Sequence, residues 1–551
     1  MKSIKTKTIW FLAAFVFFVN PLLSNAQKRL FVLSDPHLIA KGLFQSYSSA
    51  FQNALANDNK MFDLSNEIMQ SVVNTILEEQ PDAVLIPGDL TKQGAKLSHI
   101  EMSTILKQIT DAGIKVFVIP GNHDVNNTQA VRYDGNNTYP AATVTSSEFV
   151  ELYNEMGFAN ALARDNNSLS YVVEPIPGLR LIAVDDSRCT ARDNNPYLNA
   201  NGLTMSTRSW ICNQIDDARQ HDKQVMVMMH HNLIEHIDEQ SSFTGDARLT
   251  LADAVRDEML QHGARFFLTG HMHISNISTW YNEELTDSVV EISTGSAIAY
   301  PCHYRIIEVS PDLGTFTVTT HSITDVEGIE NFPEYALERM NGSTRATISS
   351  IVYNNWDALS ERLEEYQSYL GNVELTPENI TNIAYRNMSE SVSELNQVMA
   401  EGNENEKDGQ AIRNRLNTAI TNFANDILSD ANIFIQLIAA PLITEQFNQM
   451  LDVPLKSALN DCTNYGSYRA NVTDDLHPIL HFTSVEIPSD TIRGDLNGDT
   501  IVDVSDVNIL INIILGYETN NELIVAADLT GDNLPDVSDV NALINIILHK
   551  D

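Results

Sequence analysis

Apolar residues in the first 325 positions come in two alternating patterns. One is a short run of Val, Ile, Leu, Met or Phe that stops abruptly at polar residues: "RLFVLSD" from Arg29, "DAVLIPGD" from Asp82, "IKVFVIPGN" from Ile114, "LRLIAVDD" from Leu179, "QVMVMMHH" from Gln224 and "ARFFLTGH" from Ala264. The other is apolar residues at helical spacing, over 62–79 and 97–110. Runs without polar alternation suit strands buried on both faces, and helices between them supply the cover. The pattern predicts an α/β unit over 27–325, with strands but no long helices from Ser288 to His321. From about 330 to 485 the text turns amphipathic and helical, as in "SIVYNNWDALSERLEEYQSYL", "TNIAYRNMSESVSELNQVM" and "AIRNRLNTAITNFANDIL". With no chemical motif of its own, that region reads as a mostly helical domain with a packing or capping role.

The last sixty residues repeat. "GDLNGDTIVDVSDVNILINIIL" begins at Gly494 and "ADLTGDNLPDVSDVNALINIIL" at Ala527, an offset of 33 residues. "SVEIPSDTIR" before them reads as a linker to a module over 490–551. At the other end, Lys2, Lys5 and Lys7 precede the apolar stretch Ile9–Val19 and the small residues Ser24-Asn25-Ala26. This is the layout of a signal peptide over 1–26, so the chain is expected to be exported, to a periplasmic or extracellular location.

At 551 residues the chain exceeds one ordinary domain, and 43% apolar residues suffice for real cores. The net charge of -39 becomes -42 once the three lysines of the leader are removed. Such acidity opposes long-range attraction to nucleic acid or an anionic membrane, but not to a small anion at a site where bound metal inverts the field. Cys189, Cys212, Cys302 and Cys462 are the four cysteines. Export permits disulfides; a Cys189–Cys212 bridge and a fully reduced set both fit the sequence.

The polar ends of the apolar runs carry one kind of chemistry. "SDPH" gives Asp35 and His37, "PGDL" gives Asp89, "PGNHD" gives Asn122, His123 and Asp124, "MMHH" gives His230 and His231, and "TGHMH" gives His271 and His273. Strand tips share an edge where ligands bind in open α/β sheets. Carboxylate, imidazole and amide oxygen all ligate first-row metals. Glycine before Asp89, Asn122 and His271 permits tight turns at a centre.

This series resembles the calcineurin-like metallophosphoesterases. The resemblance implies a four-layer β-sandwich flanked by helices and a site with two divalent or trivalent metal ions, Mn, Fe or Zn. By resemblance, Asp35, His37 and His273 hold the first ion, Asn122, His230 and His271 the second, and Asp89 bridges both. His231 is the less favoured ligand of its pair, and Asp124 orients a neighbouring group. The implied reaction is attack of a metal-bridging hydroxide on a phosphoester, with His123 binding phosphoryl charge or protonating the leaving oxygen.

"STGSAIAYPCHYRIIEV" with the helical region after it is similar to exported phosphodiesterases of the cyclic-nucleotide type. Tyr300, Pro301 and Arg305 there are open to pocket, turn or core roles. A small phosphodiester is therefore the expected substrate, with phosphomonoesters and nucleotide pyrophosphates as the alternative. A further alternative is an assembly protein whose catalytic domain is secondary.

That alternative comes from the repeat. Asp495, Asn497, Asp499, Asp503 and Asp506 occupy positions 1, 3, 5, 9 and 12 of one loop, and Asp528, Thr530, Asp532, Asp536 and Asp539 those of the other. Ile501 and Leu534 at position 7 would offer carbonyls. Oxygen ligands so spaced, running into a helix, follow EF-hand logic and predict calcium. The pair resembles a dockerin, which implies a cohesin-like partner protein. Thr500 and Asn533 stand at position 6, where glycine is usual.

Overall fold

The computed structural model describes residues 27–237, 240–243, 247–282, 287–364, 374–402, 409–429, 433–459 and 479–481. Towards the C-terminus it describes Gly494, Leu496, Val502, 504–515, Ala527, Leu529 and 535–548. The expected leader, 1–26, and the linker 484–493 lie outside the described residues.

The buried runs are divided between two mixed sheets. The first runs in the order Ile479–His481, Thr315–Ser322, His303–Val309, Lys28–Val32, Ala83–Pro87, Lys115–Ile119. Its last three strands are parallel, with Leu30 opposite Ala83 and Ala83 opposite Lys115. The second runs Asn276–Tyr281, Ser288–Ser293, Phe266–Thr269, Gln224–Met228, Leu179–Ala183, Tyr171–Val173, Ala163–Arg164. Its central strands are parallel as well.

The period of two along the strands sorts side chains between two cores. Leu181, Met226, Met228, Leu268 and Ile292 point into the core shared with the first sheet. Their neighbours Ile182, Val225, Val227 and Phe267 pack against Ile211, Ile215, Val255 and Met259 of helices Met205–Gln220 and Ala252–His262. Helices Ser65–Glu79 and Lys96–Asp111 add Ile68, Val72, Met102 and Leu106 to the first core. Both were legible as helical spacing. Arg305, wholly buried, donates to Ser293 O at 2.9 Å and Thr320 Oγ1 at 2.8 Å. It ties the sheets together, so its role is structural and not that of a pocket residue.

Helices Phe332–Gly342, Thr344–Asn354, Trp356–Glu364, Pro377–Glu401, Gly409–Ile427 and Ile433–Leu459 follow. The amphipathic stretch from Ser350 is not continuous. It breaks at Asn355, which leaves the helical region with φ of -111° and whose backbone amide and Nδ2 both donate to Ile351 O. The long helix starts where Thr376 accepts from Asn379 N and Pro377 takes the first turn. It ends at Gly402 in the left-handed region. Leu416, Ile420, Phe423 and Phe447 build a separate core. Polar ties among the described residues join these helices to the sandwich. Arg339 grips Asp63 with both terminal nitrogens, 3.0 Å each, and Tyr300 Oη donates to Glu401 Oε1 at 2.6 Å. Among the described residues no helix is long and apolar enough to cross a membrane.

Cys189, Cys212 and Cys302 are buried and free, so the Cys189–Cys212 bridge is not formed. The reason is position: Cys189 belongs to the core between the sheets, whereas Cys212 lies on a helix covering the outer face of the second sheet. Cys462 lies outside the described residues.

Candidate metal centre

Every ligand-bearing tip follows the carboxyl end of a parallel strand. Lys28–Val32, Ala83–Pro87 and Lys115–Ile119 of one sheet lead to Asp35 and His37, to Asp89, and to Asn122 and His123. Gln224–Met228 and Phe266–Thr269 of the other lead to His230 and to His271 and His273. The backbone at these tips is unusual. Asp35, His37, Asp89, His271 and His273 have φ of 50°, 37°, 47°, 66° and 61°. Left-handed backbone costs a side-chain-bearing residue on the order of 1 kcal/mol or more, and it persists where the surroundings fix it for a purpose. Two neighbouring glycines cannot be replaced cheaply. A methyl on Gly121 would collide with Asp89, and one on Gly270 with Ser34 and Asp35.

The side chains converge as two groups that share Asp89. Ligand atoms of Asp35, His37, Asp89 and His273 all lie within 4.8 Å of one another, as do those of Asp89, His230 and His271. In the first group His37 Nε2 is 2.9 Å from His273 Nε2, and His273 Nε2 is 3.3 Å from Asp35 Oδ1. In the second, His230 Nε2 is 3.3 Å from Asp89 Oδ2, 3.2 Å from His271 Nδ1 and 2.9 Å from Asn122 Oδ1. His231 joins neither group; its Nδ1 lies 3.2 Å from Asp186 Oδ1.

These atoms fit metal ions. Asp35 Oδ1 is buried with no hydrogen-bond partner, a cost that a cation beside the carboxylate would remove. His230 Nδ1 donates to Pro87 O at 2.8 Å, which turns the Nε2 lone pair inward, as a ligating imidazole requires. Burial and neighbouring imidazoles hold His37 and His271 well below the usual histidine range, in the neutral form that ligates. Burial alone would raise Asp89 and lower His230. Their attraction instead holds Asp89 well below the carboxylate range, helped by His123 and His37, and pushes His230 up to about 10, helped by Asp35 and Asp186. Without a cation a proton serves as counter-charge here, and metal binding would release it.

A ring of supports fixes the tips. Asp124 accepts from Gly121 N at 2.9 Å, Leu90 N at 3.0 Å and Thr91 N at 2.9 Å, clamping the Asp89 turn to the Asn122 turn. Asp186 accepts from His230 N at 3.1 Å and His231 N at 2.8 Å. His123 N donates to Asp89 Oδ1 at 2.8 Å, and His123 Nδ1 donates to Gln93 Oε1 at 3.0 Å, which also accepts from Asn127 Nδ2. His123 Nε2 is thus left facing the centre, 3.8 Å from Asp89 Oδ2, with 29% of the side chain exposed. A pocket of 380 Å³ opens here, lined by Asn122, His123, Arg192, Tyr197, His231 and His271 among others.

The sequence reading missed Gln93, Asn127, Asp186 and Arg192. Only Asp186 left a signal, as the end of an apolar run. Of the expected calcium ligands, Asp506 and Asp539 are wholly buried at the first turns of helices Val504–Ile514 and Val537–Leu548. Asp506 Oδ1 accepts from Leu496 N at 2.8 Å, and Asp539 Oδ2 from Asp536 N at 2.7 Å. Asp495, Asn497, Asp499, Asp503, Asp528, Thr530 and Asp532 lie outside the described residues.

Residues 28–275 match the family profile described as calcineurin-like phosphoesterase, a span that contains all seven candidate ligands. Over that span the chain is similar to calcineurin-like phosphoesterases. A protein of Ruthia magnifica subsp. Calyptogena magnifica, named as a probable cyclic nucleotide phosphodiesterase, is 39% identical over 59 residues, 11% of this chain and 24% of that protein. The chain therefore spans about a quarter of the length of this curated relative. Among solved structures, a dimetal phosphatase from Danio rerio is 12% identical with a TM-score of 0.39, over 54% of this chain and 97% of that one. A calcineurin-like phosphoesterase from Bacillus subtilis is 11% identical with a TM-score of 0.28, over 59% and 99%.

Proposed function

We propose that the chain is an exported phosphoesterase that works with two metal ions and hydrolyses phosphodiesters, cyclic nucleotides being the favoured class. The observation that carries this reading is the pair of ligand groups sharing Asp89, beside a pocket into which His123 opens. Asp35, His37 and His273 would hold one ion and Asn122, His230 and His271 the other, with Asp89 common to both. Two such ions, when bound, acidify water and neutralise phosphoryl charge. The chain's own groups do the rest. Asp124 and Asp186 keep the tips in register. Gln93 holds the Nδ1 proton of His123, so Nε2 is the atom presented to a phosphoryl oxygen or a leaving oxygen. The diester preference is supported by the short match to the probable cyclic nucleotide phosphodiesterase.

The helical region would border the active-site edge and limit substrate size. The contact of Tyr300 with Glu401 supports this, because the same loop holds Ser296, whose hydroxyl donates to Asp35 O at 2.7 Å. Export rests on the leader pattern of residues 1–26. The C-terminal repeats would bind calcium and dock a cohesin-like partner, a reading supported by their ligand spacing and by the buried Asp506 and Asp539. Hydrolysis of bis(p-nitrophenyl) phosphate, p-nitrophenyl phosphate and cyclic nucleotides, each with Mn, Fe or Zn, tests the central proposal. Metal-dependent turnover of the diesters is expected. Turnover of the monoester alone would replace the diester reading, and no turnover of any ester would end the enzyme reading.

A further inference from the structure

Arg192 ends the short helix Cys189–Arg192 and is only 5% exposed. Guanidinium groups are seldom so buried, and they cannot shed their charge. A buried charge needs a partner. Among the described residues the Arg192 guanidinium makes one hydrogen bond, from Nη1 to Asn122 O at 2.9 Å, and its buried Nε has none. The nearby carboxylates are engaged elsewhere. Asp193 accepts from Asn126 Nδ2 and from the amide and hydroxyl of Ser146. Asp185 accepts from Leu169 N, and Asp186 holds the amides of His230 and His231. What Arg192 does face is the 380 Å³ pocket, together with His123, His231 and His271.

A fixed cation with unspent donors, held next to a candidate ligand and opening on the pocket, is built to receive oxyanions. Its planar fork suits the paired non-bridging oxygens of a phosphoryl group. We infer that Arg192 is a phosphoryl-binding residue, which grips the substrate's non-bridging oxygens from the pocket side while the organic part occupies the pocket. This rests on the phosphoesterase reading above and adds a residue that neither the strand-tip pattern nor the ligand groups contain.

The competing role is purely structural, in which Arg192 only steadies the Asn122 carbonyl. Full-length, metal-loaded enzyme separates the two roles. Metal content, binding of inorganic phosphate by calorimetry, and kcat and KM for bis(p-nitrophenyl) phosphate would be measured for the wild type, Arg192→Gln and Arg192→Lys. We expect both variants to keep the wild-type metal content. Arg192→Gln should weaken phosphate binding by about 10- to 100-fold, the range for loss of hydrogen bonds to a charged group. It should lower kcat/KM at least as much, and Arg192→Lys should recover part of both losses. Unchanged phosphate affinity in Arg192→Gln would overturn the inference. So would metal loss with unchanged affinity in the molecules that stay loaded. If Arg192→Gln does not fold, Arg192→Lys decides alone, since it keeps the charge but loses the fork; wild-type phosphate affinity there would also refute it. Failure of the wild type to bind phosphate or hydrolyse any ester would instead overturn the phosphoesterase reading itself, and this inference with it.

Discussion

Asp89 is the carboxylate common to both ligand groups, so its removal acts on both at once. Asp89→Ala should lose bound metal and all turnover, read by elemental analysis and the ester assay. His123→Ala should keep its metals and lose roughly 10²- to 10⁴-fold in kcat, the usual worth of a positioned proton-transfer group. Metal loss from the His123 variant would show that histidine to be a ligand instead. Gly121→Ala tests the close approach of the two turns. The new methyl would drive into Asp89, so metal content should fall although no ligand is changed. Normal metal content would refute that crowding. His99 concerns stability. It is wholly buried between Tyr153 Oη and Asp124 O, at 2.9 and 2.8 Å, and burial brings its pKa down to about 4. Below pH ~6.5 the unfolded chain takes up a proton that the folded chain refuses until about 4. Stability should therefore fall as pH drops through that window, by up to about 3 kcal/mol from this residue, and be unaffected above it. Denaturant melts of His99→Gln at pH 7.5 and 4.5 check this. The variant should show a smaller difference between the two pH values than the wild type.

At the scale of elements, the helical region is held to the sandwich by few polar ties. Tyr300→Phe removes one of them, worth about 1 kcal/mol or somewhat more because the acceptor is a carboxylate. Faster hydrogen exchange at the end of helix Pro377–Glu401, with the sandwich core unchanged, is the expected result. Equal exchange rates would mean that the tie carries no load. Much at this scale was legible. An apolar run that stops at Asp, Asn or His marks both a strand and what its tip carries, which is why Asp35, Asp89, Asn122, His230 and His271 stood out. The division into two sheets was not legible in the runs themselves, because strands buried on both faces look alike in either sheet. Nor were the left-handed tips, since the sequence flags such turns only where glycine stands. Gln93, Asn127 and Arg192 escaped notice for a third reason. Their meaning comes from neighbours 30 to 70 positions away, as between His123 and Gln93 or Asn122 and Arg192.

On the scale of the whole molecule, the C-terminal helix pair has a core of its own that includes Leu510, Ile513 and Leu543, and Asp506 and Asp539 are buried at the first turns of its helices. The loop pattern of the sequence would bring further acids to each helix start, where they would repel one another unless a cation sat among them. The fragment 490–551 should therefore be poorly structured in chelator and gain helical circular dichroism on addition of calcium. An unchanged spectrum with no calcium binding by calorimetry would remove the calcium reading and leave the metal centre untouched. The two ligand groups also set a timetable for the chain as it is made. One group is completed by His271 and the other by His273, whereas Asp35 and Asp89 come from the first strands. A ribosome has passed almost half of the message before either group is whole. A nascent or truncated chain therefore offers a passing ion only fragments of a site, and capture of both ions reports that strand tips of two sheets, made far apart in time, have come together.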